Sequence, residues 1–443
     1  MSTHDNAPNR HRDQIRFAYI EDAEPPDRYC LGGYHPLDVG DVLRDRYHIV
    51  HKLGFGSYST TWLAKDISQG DKYVAIKIMT ADSSAASQEA KILRHLTKKI
   101  SLDAHGKGTL EGVDNTAMPS IWDGFTIYGP NGAHSCIVTT PARMTVAEAQ
   151  DASYTRLFQP RVARAIAAQL IRGVAFMHKK GLVHADLHLG NVLFKLAENS
   201  KSLPLDKLYE KYGKPELEPV RILGNEGDRP LPEGVPTYIV VPGWFGVRSE
   251  DVTLIEASIL VTDFGESFMP SSEPKYHSST PRVLRPPETR FLPGEPLSYP
   301  ADIWTLACSI WTVLGQRSLF EIFSPTDDYV TKEQVDALGI LPPTWWETWA
   351  ARGDYFNDQG EPLDPTSSRM TLEGRFEHSI QAPRRAVGLE TVGEQERVAL
   401  LDMLRAMLAF IPEERPTAAS LMSCDWMTKW ALPDLRELES MEV

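Results

Sequence analysis

Val183-His-Ala-Asp-Leu-His-Leu-Gly-Asn191 sets four polar side chains, His184, Asp186, His188 and Asn191, among apolar residues. An aspartate followed five positions later by an asparagine fits a loop in which the carboxylate takes a hydroxyl proton and the amide holds Mg²⁺. Ile259-Leu-Val-Thr-Asp-Phe-Gly265 places a second acid, Asp263, after an apolar strand. Upstream, Leu53-Gly-Phe-Gly-Ser-Tyr-Ser59 is a Gly-x-Gly-x-x-Ser turn. Glycines there let backbone N–H groups approach phosphate oxygens. Such turns are common, and a dinucleotide fold needs a helix directly after the glycines, where this chain reads as strand. Lys77, in Val-Ala-Ile-Lys, follows Gly56 by twenty-one residues on a buried-looking strand, where a lysine needs a reason. Glu89 on the next helix is its expected partner, and such a pair orients nucleotide phosphates. The competing reading of Glu89 is a solvated helix face. The chemistry in view is phosphoryl transfer.

These groups need a sheet to carry the glycines and the lysine, and a helical body to carry the acids. Tyr47–Leu53 and Ser59–Lys65, split by the glycine turn, predict two strands, and Tyr73–Met79 a third. Ser84–Leu96 predicts a helix ending in apolar Ile92, Leu93 and Leu96. Ile121–Tyr128 and Ser135–Thr140 are strands joined by the hairpin signal Gly129-Pro-Asn-Gly132. Beyond Pro141 the periodicity is helical. Pro160 opens a helix with Val162, Ile166, Leu170, Val174 and Met177 on one face and Gly181 as its stop. Ser298–Gly315, Gln395–Phe410 and Thr417–Trp426 follow as helices. Lys195–Glu250 and Ser324–Gly393 look inserted. The first is weakly periodic and interrupts a unit that a short turn would close, which predicts that catalysis survives its deletion. Trp345, Trp346 and Trp349 in the second are expected to be packing residues. Residues 1–28 read as a polar, mobile arm, and Asp434–Glu442 as a solvated acidic tail.

Arg285-Pro-Pro-Glu288, helix residue Asp302 and Arg415 complete the order of motifs. With them in place, the chain from about Tyr29 to Trp430 resembles a eukaryotic protein kinase. It is most similar to the serine/arginine-protein kinases in their shorter fungal-type form. Four features carry that likeness: Tyr29-Cys-Leu-Gly-Gly-Tyr-His-Pro-Leu-Asp-Val-Gly-Asp41, the loop with Ser59 in place of a third glycine, Gly129-Pro-Asn-Gly-Ala-His-Ser-Cys136, and the 72 positions from Asn191 to Asp263.

The resemblance implies an α+β, bilobal fold: a small antiparallel-sheet lobe with one main helix, then a larger, mostly helical lobe. Implied boundaries are an extension at 1–46, the ATP-binding lobe at 47–141 and the helical lobe at 142–432. Inserts lie at about 195–258 and 324–393, and the tail at 433–443. By resemblance, Leu53, Gly54, Phe55, Gly56, Ser57, Tyr58, Ser59 and Thr61 cover ATP. Ala75 lines the adenine pocket, Lys77 and Glu89 orient the phosphates, Thr139 lies near the gatekeeper position, and Thr140–Ala142 form the hinge. Asp186 is the catalytic base, with His188 beside it; Asn191 and Asp263 bind Mg²⁺. Glu288 and Arg415 brace the substrate lobe, and Asp302 anchors the catalytic loop. The implied partners are basic, Arg/Ser-rich proteins of the splicing-factor type, met as a monomer in cytoplasm and nucleus, with no direct nucleic-acid or membrane contact.

Two departures matter. Ala185 stands where such kinases carry an arginine that receives an activation-loop phosphate, so activity is expected without one. His188 stands where a lysine would touch the transferring phosphate. The alternative reading is therefore a pseudokinase or scaffold that binds ATP with little transfer. A small-molecule kinase of the aminoglycoside type shares the His-x-Asp-Leu-His-x-x-Asn pattern. Arg285-Pro-Pro-Glu288 and Arg415 belong instead to a protein-kinase substrate lobe.

Composition agrees. Sixty acidic residues against 46 basic give −14, which disfavours a general nucleic-acid binder and permits attraction to basic partners. Cys30, Cys136, Cys308 and Cys424 are widely spaced and predict neither disulfides nor a zinc site, in keeping with a reducing compartment. No apolar run reaches the roughly 20 residues of a membrane helix, and Met1–Arg16 has no apolar segment of a secretory signal.

Overall fold

The structure, a computed structural model, describes residues 15–84, 88–97, 117–196, 203–224, 230–364 and 370–441. The chain divides into a sheet unit, Met1–Ser87 with Trp122–Thr139 and Lys201–Trp244, and a helical unit, Gln88–Ile121 with Thr140–Ser200 and Phe245–Val443.

The sheet unit is built on six strands, β1 Val42–Leu43, β2 Tyr47–Gly56, β3 Ser59–Asp66, β4 Lys72–Met79, β5 Ile121–Gly129 and β6 Gly132–Thr139, in spatial order β1-β2-β3-β4-β6-β5. Alternation sorts their side chains. Tyr47, Ile49, Trp62, Ala64, Val74, Ile76, Ile78, Cys136 and Val138 share one buried face and form its core. The predicted hairpin at Pro130-Asn131 is present, with Gly132 at φ 130°, a conformation that favours glycine.

Residues 15–28 of the expected arm, and 203–224 and 230–244 of the expected dispensable insert, are structured parts of this unit. Ile20, Ala23, Tyr29 and Tyr34 pack with Val220 and Ile239 of the insert. Ala18 N–H donates to the Arg221 carbonyl at 2.8 Å, and Glu216–Pro219 pairs antiparallel with Tyr238–Val241. Tyr209 O–H donates to the Val50 carbonyl at 2.9 Å, and Tyr73 O–H to that of Leu203 at 3.0 Å. Lys52 is fully buried on both carboxylate oxygens of Glu24, which also accepts the Tyr29 O–H. Burial lowers the Lys52 pKa, and the Glu24 charge opposes that shift. Weak periodicity therefore marked a segment that buries scattered apolar residues on a neighbour, rather than a free one. Removing residues 203–244 would expose that neighbour, which reverses the expected tolerance of deletion. Residues 1–14 of the arm lie outside the described residues.

In the helical unit, Pro160–Lys179 and Tyr299–Leu314 cross a continuous apolar core. Ile259–Val261, Val192–Lys195 and Ala142–Thr145 form a three-stranded sheet beside it, with Val192–Lys195 in the middle. The expected acidic tail is instead helical over Leu432–Met441. Its Leu435 and Leu438 are buried, and its acids meet a row of arginines on Pro160–Lys179. Arg161 binds Asp434 and Glu437, and Arg172 binds Glu439. Trp345, Trp346, Trp349 and Phe356 form a buried aromatic cluster, as expected of packing residues. Among the described residues no helix is long and apolar enough to cross a membrane.

Candidate active site

Cross-strand register brings several predicted nucleotide residues onto one face of the sheet, the face opposite its core. Gly54, Thr61, Lys77 and Ile137 lie in one row across β2, β3, β4 and β6, and Leu63, Ala75 and Thr139 in the next. Residues paired directly across strands share a face, so Thr61, Ala75, Lys77 and Thr139 do. This explains a lysine in an apolar strand: Lys77 is half-buried on the face that does not pack the core. Leu53 is skipped between the Lys52–Trp62 and Gly54–Thr61 pairs, a bulge that redirects its side chain. Phe55, Gly56, Ser57 and Tyr58 are exposed at the tip, and Ser59 is buried. Among the described residues a Cβ at Gly54 or Gly56 would meet nothing within 4 Å. The protein's own packing does not demand glycine there, whereas close approach of a ligand to the backbone would.

The helical unit holds the acids. Val183–Asn191 is organised by Asp302, which is buried and accepts from His184 N (2.8 Å), Ala185 N (2.9 Å) and His178 Nε2 (3.0 Å). Burial opposes its charge, but His178, His184 and these hydrogen bonds hold the carboxyl below the usual range. Ala185 adopts φ 64°, a left-handed conformation that costs a non-glycine residue about 1–3 kcal/mol. It is held on both sides, by Asp302 at its N–H and by Thr280 Oγ1, which donates to its carbonyl at 3.0 Å. His184 works as a second hub. Its Nε2 meets the Thr262 carbonyl at 3.1 Å, and its Nδ1 accepts from Asp186 N at 3.3 Å. This ties the loop to the strand before Asp263.

Asp186 is partly buried. Asn191 Nδ2 donates to its carbonyl at 2.9 Å and to Oδ2 at 3.3 Å, while Oδ1 is buried with no hydrogen-bond partner among the described residues. Burial raises its pKa, Asp263 adds to the shift, and His188 and His184 oppose it. A more basic carboxylate with one uncommitted oxygen is suited to accept a proton from a hydroxyl. Asp263, at φ 61°, accepts from Gly265 N at 3.4 Å. Among the described residues no cluster of three or more His, Cys, Asp or Glu side chains could hold a metal alone. One carboxylate and one amide oxygen are a hard, incomplete set, which fits an ion that takes its other ligands from phosphate and water. Glu89 is half-buried on helix Gln88–Thr97, and Ala142 begins its strand in the same unit. Lys77 and Thr139 belong to the sheet unit. Arg415 binds Glu288 with two parallel bonds of 2.8 and 2.7 Å, stacks over Trp304, and donates to the carbonyls of Ala409, Pro300 and Phe410.

Comparisons with known proteins agree with this geometry. Residues 47–205 match the protein kinase domain family. A serine/threonine protein kinase of Aspergillus fumigatus is 24% identical over 92% of this chain and 91% of its own length. The serine/threonine-protein kinase SRPK of Physarum polycephalum is 25% identical over 91% of each. Human SRSF protein kinase 3 is 33% identical over 39% of this chain and 30% of its own. The chain is a protein kinase, most like the serine/arginine-protein kinases. A crystal structure of a kinase domain matches its fold with a TM-score of 0.56 at 16% identity, over 89% of this chain and 98% of that one. As a serine/threonine protein kinase it uses ATP and a divalent metal ion.

The kinase's His188 accepts from Gly190 N at its Nδ1, at 3.1 Å. The ring proton is thereby left on Nε2, 3.8 Å from Asp186 Oδ1. Burial lowers the His188 pKa below 6.5, with Asp186 opposing, so the free enzyme carries a neutral imidazole donor at neutral pH. We expect His188→Ala to lose about 10-fold in turnover, as removal of a phosphate-side donor would. His188→Lys, which supplies a fixed cation, is expected to match or exceed wild type. Wild-type turnover in the alanine variant would remove His188 from phosphate handling.

Between Asp263 and Glu288 the chain is held by its own side chains. Thr280 is buried with its hydroxyl on Ala185, Arg285 Nε donates to the Thr280 carbonyl at 2.6 Å, and Lys275 pairs with Glu266. Sequence reading missed Thr280, Lys275 and His184 as positioning groups, because their partners lie 9 to 95 residues away. We expect bacterially produced kinase to keep its activity after phosphatase treatment. A large loss would show that Ser278, Ser279 or Thr280 must be phosphorylated.

Proposed function

We propose that this kinase transfers the γ-phosphate of Mg-ATP to serine hydroxyls of basic, Arg/Ser-rich proteins of the splicing-factor type, as a monomer in cytoplasm and nucleus. The observation that carries transfer is Asp186, with a raised pKa, one oxygen steadied by Asn191 and the other without a hydrogen-bond partner among the described residues. Bound Mg-ATP supplies the phosphoryl group and neutralises charge on its oxygens. Asp186 orients the serine hydroxyl and takes its proton, Asn191 and Asp263 would hold the ion, and Lys77 and Glu89 would set the phosphates. The substrate class is supported by the relatives named for SRSF and SRPK activity and by a net charge of −14, which attracts basic peptides.

A radiometric assay with Mg-ATP tests this, with an Arg/Ser-repeat peptide against an acidic one from about 50 to 300 mM salt. The basic peptide is expected to have the lower KM, rising with salt. Equal constants without salt response would leave the charge no part in recognition. His188 in place of a lysine favours a second reading, an ATP-binding scaffold. Absence of transfer by both wild type and His188→Lys would establish it.

A further inference from the structure

Three successive carbonyls at the tip of the glycine turn are each held from outside it. Tyr34 O–H donates to Gly56 O at 2.8 Å, Arg28 Nη2 donates to Ser57 O at 2.7 Å, and Thr80 N donates to Tyr58 O at 2.9 Å. In a trans peptide the carbonyl and the following N–H point opposite ways. Fixing the Gly56 and Ser57 carbonyls toward Tyr34 and Arg28 therefore turns the N–H groups of Ser57 and Tyr58 to the other side of the tip. Successive N–H groups presented together attract anions.

Tyr34 is fixed by burial, and exposed Arg28 lies against it. Tyr34 is buried beside Tyr29, and the Arg28 guanidinium sits over the Tyr34 ring at 5.3 Å. Buried Asn131, in the β5–β6 turn, donates from Nδ2 to Tyr34 O at 2.7 Å and to Gly234 O of the insert at 3.0 Å. A polar chain thus runs from the insert through Asn131 and Tyr34 to the phosphate-facing turn, within one compact unit.

We infer that Arg28 and Tyr34 of the N-terminal extension are positioning residues for the nucleotide phosphates, orienting the turn's N–H groups before ATP arrives. This rests on the reading of Gly54–Ser59 as the ATP turn. Without the clamp the tip samples other peptide orientations, and ATP must select the competent one, which weakens its apparent affinity.

The test uses the full chain and compares Tyr34→Phe, Arg28→Met and Arg28→Lys with wild type. The readouts are KM for ATP, KM for an Arg/Ser peptide, kcat, and melting temperature without nucleotide. Tyr34→Phe keeps the buried ring and loses only the hydroxyl. We expect it, and Arg28→Met, to raise KM for ATP about 3- to 10-fold, as one lost hydrogen bond would. Peptide KM, kcat and melting temperature should stay near wild type, and Arg28→Lys, which keeps a donor, should recover part of the loss. An unchanged KM for ATP in both Tyr34→Phe and Arg28→Met overturns the clamp. So does a fall in melting temperature with all kinetic constants shifting together, since the role would then be structural. Failure of wild type itself to bind ATP overturns the reading of the turn, and is visible before any variant is compared.

Discussion

Asp186→Asn is expected to lower turnover by at least about 10²-fold, the contribution of a positioned base, while ATP affinity stays near wild type. The amide is nearly isosteric, so the loop need not move. Asp302 holds the backbone of His184 and Ala185 rather than the Asp186 side chain. Asn191 also donates to the Asp186 carbonyl, a bond the substitution leaves in place. What disappears is the carboxylate whose pKa burial and Asp263 raise, and with it the proposed acceptor for the substrate hydroxyl proton. Single-turnover kinetics with saturating Mg-ATP, beside nucleotide binding, separate the two effects. Wild-type turnover in Asp186→Asn would overturn the catalytic-loop assignment.

Arg415→Met is expected to destabilise the helical unit by about 3–5 kcal/mol, the usual result of removing one partner of a buried ion pair. Glu288, 8% exposed, would keep a charge with no cation, and three carbonyls would lose a donor. Methionine fills much of the volume over Trp304, so the loss reports charge and hydrogen bonding more than a cavity. At about 2–4 °C per kcal/mol for a unit of this size, the melting temperature should fall by roughly 10 °C. A fall of less than about 2 °C would mean that water or a local rearrangement satisfies Glu288. Glu288→Gln, which keeps acceptor geometry at one oxygen, is expected to fall less.

The chemistry of this protein was legible in the chain because its pieces are local. Asp186 and Asn191 are five residues apart on one loop, and Gly54, Gly56 and Ser59 lie on one turn, so spacing alone states what they could do. Ala75 and Lys77 are two residues apart on one strand, so alternation puts them on one face, and the register of the neighbouring strands adds Thr61 and Thr139 to it. Periodicity reports which face of a segment is apolar and says nothing about what that face meets. The insert shows the limit: Leu208, Val220, Ile239 and Val240 are too scattered to make a pattern, yet each is buried. Leu432–Met441 reads as acidic and exposed until Arg161, Arg164 and Arg172 stand opposite it, some 270 residues away. Lys52 and Glu24 are 28 residues apart, and only burial against the sheet makes them one ion pair. The residue types and their order determined the reaction. Tertiary structure alone decided which carbonyls, carboxylates and imidazoles hold the reacting groups still, because those bonds join segments that come together only when apolar surface is buried.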